Sequence, residues 1–159
     1  MNRYGKGISV SRVWSFERDL QVRFSHCDPA GIIFFPQYLV MFVDLVDDWF
    51  TNALAVSYAD MITKSRVGVP TVKLDCDFTA ISRLGDHITI GLTIVRVGSR
   101  SFTLELGCRS GDEIRAKVRQ VLVTTSLETH KAIAIPEHIK SAMLAFEQLP
   151  VTQAEGDDR

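Results

Sequence analysis

The sequence predicts a single α+β domain in which an antiparallel sheet curls around one long central helix. The first observation is a helical segment, about residues 36–52, whose apolar side chains cover well over half of its circumference. The second is a series of four later segments in which apolar and polar residues alternate, as they do in half-buried strands. Short turns that favour antiparallel hairpins join the last three segments, at Gly98-Ser99 and Ser110-Gly111-Asp112.

The first half of the chain is predicted to hold one strand and two helices. The strand covers residues 18–26, where polar residues alternate with three apolar ones, Leu20, Val22 and Phe24. Pro36 suits the first turn of the long helix, because its missing N–H would have no helical partner there. Ser57 and Asp60 resemble a capping pair and predict a short helix over residues 57–65.

The second half is predicted to hold the remaining four strands and a closing helix. Each strand is identified by apolar residues at every second position. These are Val72, Leu74, Cys76 and Phe78; Ile88, Ile90, Leu92 and Ile94; Phe102, Leu104, Leu106 and Cys108; and Ile114, Ala116 and Val118. The closing helix is expected to begin at Pro136 and end near Phe146.

Length and composition fit one ordinary globular domain over residues 1–159, with a core at about 17–147 and flexible ends at 1–16 and 149–159. A net charge of −1 gives no general attraction to nucleic acid or to an anionic membrane. The three cysteines lack metal-binding spacing, so we expect reduced thiols and no metal site. No apolar run approaches the ~20 residues of a membrane span, so a soluble, cytoplasmic protein is expected.

The candidate chemistry lies in residues 25–42, SHCDPAGIIFFPQYLVMF, because the sequence motifs of serine hydrolases, nucleotide-binding loops and zinc proteases are absent. Asp28 stands at a turn before the long helix, and Gly31 allows the backbone to bend there. The helix start, at about residues 33–37, offers unpaired N–H groups and a partial positive charge that could polarise a carbonyl oxygen. A carboxylate beside such donors predicts acyl transfer, in which the acid attacks the carbonyl or activates a water molecule.

The run DPAGIIFFPQY, preceded by RFSHC, resembles the 4-hydroxybenzoyl-CoA thioesterase family of hotdog-fold proteins. The resemblance covers roughly residues 17–145, and KAIAIPEHI resembles the closing strand-to-helix segment of that family. It implies the hotdog fold, with Asp28 as the catalytic carboxylate and the backbone N–H of Phe35 as the donor to the thioester oxygen. It also implies hydrolysis of an acyl-CoA by a homodimer or homotetramer with its site at the subunit interface, without a metal or any cofactor besides the CoA of the substrate.

The resemblance further suggests which residues contact CoA. Arg100 and Ser101 fall where the family has a basic residue and a serine near its CoA-binding surface. Residues 96–119 contain six basic side chains that could meet the phosphates of CoA: Arg96, Arg100, Arg109, Arg115, Lys117 and Arg119. Strand alternation predicts that the last three of them share one outer face.

Contacts with the acyl group are expected nearer to the carboxylate, from His26, Gly31, Phe34 and Tyr38. In the 4-hydroxybenzoyl enzyme an acid on the long helix binds the phenol hydroxyl of the substrate. That position is Val43 here, with Asp44 one residue beyond, which turns the side chain by about 100°. This register argues against 4-hydroxybenzoyl-CoA itself as the substrate, and the apolar residues around the site favour an aromatic or medium-chain acyl group.

Other interpretations remain open at several of these residues. Asp28 could form only an Asx turn or a helix cap. Cys27 could be a nucleophile, although no ordered base is evident beside it. The acids of the long helix more simply form a solvated stripe, at Asp44, Asp47 and Asp48.

Alternative functions also remain. The same fold could hydrolyse acyl carrier protein thioesters or hydrate an enoyl-CoA, but no histidine follows Asp28 before His87, which counts against the hydratase. A non-catalytic acyl-CoA-binding module would keep the pocket and tolerate loss of the carboxylate. The sequence leaves open the acyl group, the thiol carrier, and whether Asp28 is a nucleophile or a general base.

Overall fold

The computed structural model describes residues 13–149, which form a five-stranded antiparallel sheet with helices against one face. In chain order the elements are β1 (Phe16–Gln21), α1 (Phe35–Asp48), α2 (Tyr58–Thr63), β2 (Val67–Gly68), β3 (Thr71–Phe78), β4 (His87–Val97), β5 (Ser101–Ser110), β6 (Glu113–Val123), β7 (Thr125–Ser126) and α3 (Glu137–Glu147). The main sheet has the order β1-β4-β5-β6-β3, and β2 and β7 form a separate pair. The predicted α+β class is confirmed.

Helix α1 begins at Phe35 with Pro36 in its first turn, as predicted, and it continues beyond Asp48 as a π-helical turn, Trp49–Ala53. Its buried side chains join the core formed by the inner faces of β4, β5 and β6: Tyr38, Met41, Phe42, Leu45, Val46, Trp49 and Phe50. The prediction that the helix is enclosed holds on this side only. Val43 is 58% exposed on the opposite side.

The first strand is shorter than predicted. It ends at Gln21, and Phe24–His26 form a 3₁₀ turn on which Phe24 is 83% exposed rather than buried. The cause is a change of partners, because Val22 exchanges backbone hydrogen bonds with Gly85 and Asp86 of a loop instead of extending the β1 ladder. The alternation of apolar residues therefore continues past Gln21, where the strand itself ends.

Strand β3 lies at an edge of the sheet and pairs only with β6 among residues 13–149. Leu74, Cys76 and Phe78 lie opposite buried residues of β6, so they are on the inner face, as the alternation predicts. They are nevertheless poorly covered, because Val72 and Leu74 are exposed and Phe78 is 45% exposed. Phe78 touches α1 through the rings of Phe35 and Tyr38. The described chain thus leaves an apolar edge strand uncovered.

A bulge at the β5–β6 hairpin changes the direction of one cation. Cys108 pairs with Ala116 but Arg109 pairs with Ile114, so Arg115 is an extra residue. Its guanidinium turns to the loop between β3 and β4, where it donates to the Ile81 carbonyl. The prediction that it shares an outer face with Lys117 and Arg119 is therefore wrong.

The segment before β1 is part of the fold. Trp14 is buried against Gly91 of β4 and Gly107 of β5, which face each other across the two strands, and a Cβ on either glycine would overlap the indole. The Glu17 carboxylate accepts a hydrogen bond from the backbone N–H of Trp14. Trp14 therefore packs on the sheet, contrary to the prediction of a flexible end at 1–16. The other parts of the two predicted ends, 1–12 and 150–159, lie outside the described residues. Within residues 13–149, no helix is long and apolar enough to cross a membrane.

Candidate active site

Asp28 lies in a tight loop, residues 27–33, which we call the Asp28 loop. Its N–H donates to the Ile32 carbonyl at 3.0 Å, and its carbonyl accepts the Gly31 N–H at 2.9 Å. Gly31 has φ +75°, a backbone conformation that side chains other than glycine rarely adopt. An isolated bridge between Cys27 and Ile33 closes the loop at its base. The bend expected at Gly31 is confirmed.

Asp28 is partly exposed, and one oxygen of its carboxylate is fixed by a hydrogen bond. Oδ1 accepts the Ala30 N–H at 2.8 Å, which makes an Asx turn. No hydrogen bond or ion pair to Oδ2 exists within residues 13–149. The turn expected as an alternative is thus present, and it leaves one carboxylate oxygen for chemistry.

The start of α1 supplies the expected donor. As the first helical residue Phe35 has no intrahelical acceptor for its N–H, and no other described residue accepts it. The preceding residue, Phe34, is fixed because its N–H donates to the His26 carbonyl at 3.0 Å. The sequence-predicted pair of Asp28 and the Phe35 N–H is therefore held by two adjoining backbone turns.

His26 has a clear local role. Its ring Nδ1 accepts the Arg23 N–H at 3.0 Å, so the imidazole closes the 3₁₀ turn in front of Asp28. The same residue's carbonyl accepts from Phe34. These bonds give His26 a structural role in the turn, and its contact with substrate stays a prediction.

Aromatic side chains line the surface at the start of α1. Phe34 and Phe35 are both about half exposed and stand edge to face, with ring centroids 5.6 Å apart. Phe78 of β3 lies 6.0 Å from Phe35 and 5.6 Å from the buried Tyr38, also between ring centroids. An apolar, mainly aromatic surface therefore flanks the helix N-terminus and remains open to solvent in a single chain.

The other predicted substrate residues lie far from Asp28 in the same chain. Val43 is two turns beyond Phe35, about 12 Å along the helix axis. Arg100 and Ser101 lie at the β4–β5 hairpin, whereas the Asp28 loop lies near the other end of β4. The 11 residues of β4 span roughly 35 Å. One chain alone does not bring Asp28 and Arg100 together.

The fold leaves fewer than the six predicted cations available to bind the phosphates of CoA. Arg109 is buried in an ion pair with Glu17 (3.2 Å), and Arg115 pairs with Asp86 (3.3 Å) and Glu113. Two more lie opposite acids across the strands, Lys117 facing Asp77 and Arg119 facing Asp75. Within residues 13–149, the cations of this set that form no ion pair and lie opposite no acid are Arg96 and Arg100.

A cavity on the sheet does not adjoin Asp28. It measures about 630 Å³ and lies on the outer face of the sheet, where its lining includes Trp14, Asp75, Asp77, Lys117 and Arg119. The cavity is lined by charges of both signs and lies on the face of the sheet opposite α1, so it is not part of the candidate site at Asp28. The candidate site is instead an open surface at the helix N-terminus.

Cys27 does not have the properties of a nucleophile. Its Sγ donates to the Arg23 carbonyl at 3.5 Å, and partial burial, followed by the charge of Asp28, raises the pKa of the thiol. We expect Cys27→Ser to keep kcat within about twofold of wild type, the small effect typical of a position outside the machinery. Steady-state thiol release measures this. Loss of turnover in a folded Cys27→Ser protein would instead assign the chemistry to the thiol.

Sequence reasoning missed one residue beside the site. Ser82, in the loop between β3 and β4, is buried and hydrogen-bonded to Tyr38. A serine in an irregular segment carries no periodic or motif signal, so only the folded contacts identify it. Tyr38 was expected to contact substrate, and the structure places its hydroxyl in this buried contact.

The chain is similar in sequence to a known protein family and to named hydrolases. The model of the thioesterase-like superfamily matches residues 22–143. A 1,4-dihydroxy-2-naphthoyl-CoA hydrolase of Synechocystis is 26% identical over 129 residues, which cover 81% of this chain and 88% of that protein. A hydrolase of the same name from Crocosphaera subtropica is 29% identical over 87 residues, which cover 53% of this chain and 61% of that one.

Solved structures show the same fold. A gentisyl-coenzyme A thioesterase superposes with a TM-score of 0.73 at 25% identity, covering 80% of this chain and 98% of that one. A Staphylococcus aureus protein in complex with CoA superposes with a TM-score of 0.76 at 16% identity, with 94% of each chain covered. The predicted hotdog fold is confirmed, and the relatives' names support the predicted class of thioester hydrolase. The chain belongs to the thioesterase-like superfamily.

Proposed function

We propose that the protein is an acyl-CoA thioesterase that hydrolyses its substrate to a free acid and CoA-SH. The observation that carries the proposal is an unbonded Oδ2 on Asp28 and an unbonded N–H on Phe35, which lie in two adjoining backbone turns. A carboxylate and a carbonyl-polarising donor are the two groups that thioester hydrolysis requires. Membership of the superfamily and the names of the relatives support the same reaction.

The reaction follows from these two groups. The thioester oxygen accepts the Phe35 N–H, and the partial positive charge of the helix start stabilises the negative charge that develops there. Asp28 either attacks the carbonyl carbon, expelling CoA thiolate and leaving an anhydride that water cleaves, or takes a proton from the water that attacks directly. Both routes consume one water and need no cofactor beyond the CoA of the substrate.

The acyl group is proposed to be aromatic. Phe34, Phe35 and Phe78 provide ring faces and edges beside the helix start, and aromatic groups pack favourably against such surfaces. The named relatives act on dihydroxynaphthoyl-CoA and gentisyl-CoA, both aromatic thioesters. A medium-chain acyl group is the alternative that the same apolar surface could accept.

The active unit is proposed to be a dimer formed through β3. The uncovered edge of this strand and its exposed apolar residues would be covered by a second copy. If two β3 strands pair antiparallel, the Thr71 end of one lies beside the Phe78 end of the other. Thr71 and Phe102 both pair with Leu122, so the Arg100 hairpin of one subunit would approach the Asp28 loop of its partner. This arrangement would join the two parts of the site that a single chain keeps apart.

A panel of thioesters tests the proposal. We expect wild-type protein to release thiol from benzoyl-CoA and naphthoyl-CoA with a kcat/KM at least about tenfold above that for octanoyl-CoA, the equivalent of ~1.4 kcal/mol. A preference for octanoyl-CoA would contradict the aromatic substrate but not the reaction. Faster hydrolysis of the matching acyl carrier protein thioester would identify a different thiol carrier. Binding of every acyl-CoA without turnover would reject the enzyme in favour of a binding module.

A further inference from the structure

The loop between β3 and β4, residues 79–86, runs directly against the Asp28 loop. We call it the β3–β4 loop. Its Ser82 carbonyl accepts the Ile33 N–H and its Leu84 N–H donates to the Gly31 carbonyl, both at 2.9 Å. A bridge between Ile32 and Arg83 lies between these two bonds. The Asp28 loop is thus supported along one side as a strand is by its neighbour.

Ser82 also reaches α1. Its Oγ accepts a hydrogen bond from the Tyr38 hydroxyl at 2.8 Å, and both residues are buried, at 1% and 4% exposure. Tyr38 follows Phe35 by three residues, so it lies about one helical turn from the N–H that would bind the thioester oxygen. One residue therefore contacts both halves of the proposed catalytic pair, the Asp28 loop through its carbonyl and α1 through its hydroxyl.

We propose that Ser82 is a positioning residue for thioester hydrolysis, which sets the placement of the Asp28 carboxylate relative to the Phe35 N–H through its bond to Tyr38. The inference rests on the proposed function and extends it to a residue that touches neither the thioester nor CoA. Displacing reacting groups by about 1 Å can reduce a rate about a hundredfold, so such a link matters for kcat.

The β3–β4 loop is itself held firmly enough to serve as a reference. Arg115, turned inward by the bulge in β6, donates to the Ile81 carbonyl and pairs with Asp86. The Arg115 carbonyl in turn accepts the Thr79 N–H at 3.0 Å. The loop is therefore tied to the central sheet on the side away from Asp28, and movement of α1 relative to it must strain the contact between Tyr38 and Ser82.

The Tyr38 hydroxyl is suited to remain a donor. Burial raises the pKa of Tyr38, and this effect is the largest of those acting on the group. The phenol therefore stays protonated across the neutral pH range in which a carboxylate can act. Truncating either partner leaves the other hydroxyl buried without a bond, whereas removing both leaves no unsatisfied group.

The test compares Ser82→Ala, Tyr38→Phe and the double variant with wild type. We expect each single change to lower kcat about tenfold to a hundredfold with KM within about threefold, because positioning rather than binding is lost. The double variant should have the kcat of the single variants, since all three lack the same bond. Its melting temperature should nevertheless lie above that of Ser82→Ala, because no hydroxyl is left unpaired. Thr89→Val, which removes a 2.6 Å hydroxyl bond to Asp19 near the edge strand β1, is the matched control with wild-type kcat.

Two results would overturn the inference. Wild-type kcat in Ser82→Ala, with only a lower melting temperature, would make the bond purely structural. Independent, multiplicative losses of kcat in the double variant would show that the two hydroxyls do not act as one unit. Asp28→Asn is assayed in parallel. An inactive wild type, or an Asp28→Asn protein as active as wild type, would contradict the proposed function, whereas an inactive Asp28→Asn with a fully active Ser82→Ala would contradict this inference alone.

Discussion

Replacing Asp28 by Asn should nearly abolish thioester hydrolysis while leaving the fold intact. The Asn side chain has the same shape and its oxygen can still accept the Ala30 N–H that Asp28 accepts at 2.8 Å. It has no charge, so it can neither attack the thioester carbonyl nor take a proton from water. We expect kcat to fall by about a thousandfold or more, in the range that loss of a nucleophile or general base produces. Thiol release under saturating acyl-CoA measures this.

The control for this experiment separates chemistry from folding. Circular dichroism, melting temperature and acyl-CoA binding should all match wild type, because the Asx turn is retained. Equal turnover by wild type and Asp28→Asn would reduce Asp28 to a turn residue and remove the mechanism.

Removing the side chain of Arg100 should weaken substrate binding strongly. Arg100 is exposed, and its backbone is fixed because its carbonyl accepts the Thr124 N–H at 2.8 Å. An ionic hydrogen bond to a CoA phosphate contributes about 1.5–3 kcal/mol, so Arg100→Ala should raise KM about tenfold to a hundredfold with kcat nearly unchanged. The effect should shrink for an acyl-pantetheine substrate, which lacks the nucleotide phosphates. An unchanged KM for acyl-CoA would remove Arg100 from the binding site.

Mixing the two variants tests whether neighbouring subunits share a site. If Asp28 and Arg100 of different subunits form each site, a mixed dimer of Asp28→Asn and Arg100→Ala holds one site with both changes and one with neither. Random exchange of equal amounts should then restore about one quarter of wild-type activity at low substrate concentration. If both residues of a site came from one subunit, no intact site would form and the mixture would show only the average of its parents.

The elements with long regular patterns could be predicted from sequence alone. Helix α1 and strands β4 to β6 each repeat apolar residues at one period over most of their length, so the local sequence is sufficient to identify them. Three departures depended on distant parts of the chain. Val22 leaves the β1 ladder for a loop, Arg115 is displaced by a bulge, and β3 has apolar residues without a layer beneath it.

One part of the candidate site could be predicted from sequence and another part could not. Asp28, Gly31 and the Phe35 N–H follow from one continuous motif, in which the turn, the bend and the helix start are neighbours. Ser82 is 44 residues from Tyr38 in sequence, and nothing around it marks its carbonyl and hydroxyl as links between two elements. The placement of Arg100 away from Asp28 likewise follows only from strand lengths and register.

The packing of Trp14 against Gly91 and Gly107 shows that the folded unit includes a residue ahead of the first strand. An indole fills the space that two missing side chains leave at the centre of the sheet, and a tryptophan buries roughly 150–250 Å² in such a position. A shortened chain that began at the first strand would keep every hydrogen bond of the ladder but expose the groove that Gly91 and Gly107 form on the β4–β5 hairpin. The minimal domain therefore has to include Trp14, which precedes the first strand, and a chain that began at residue 17 would lack it.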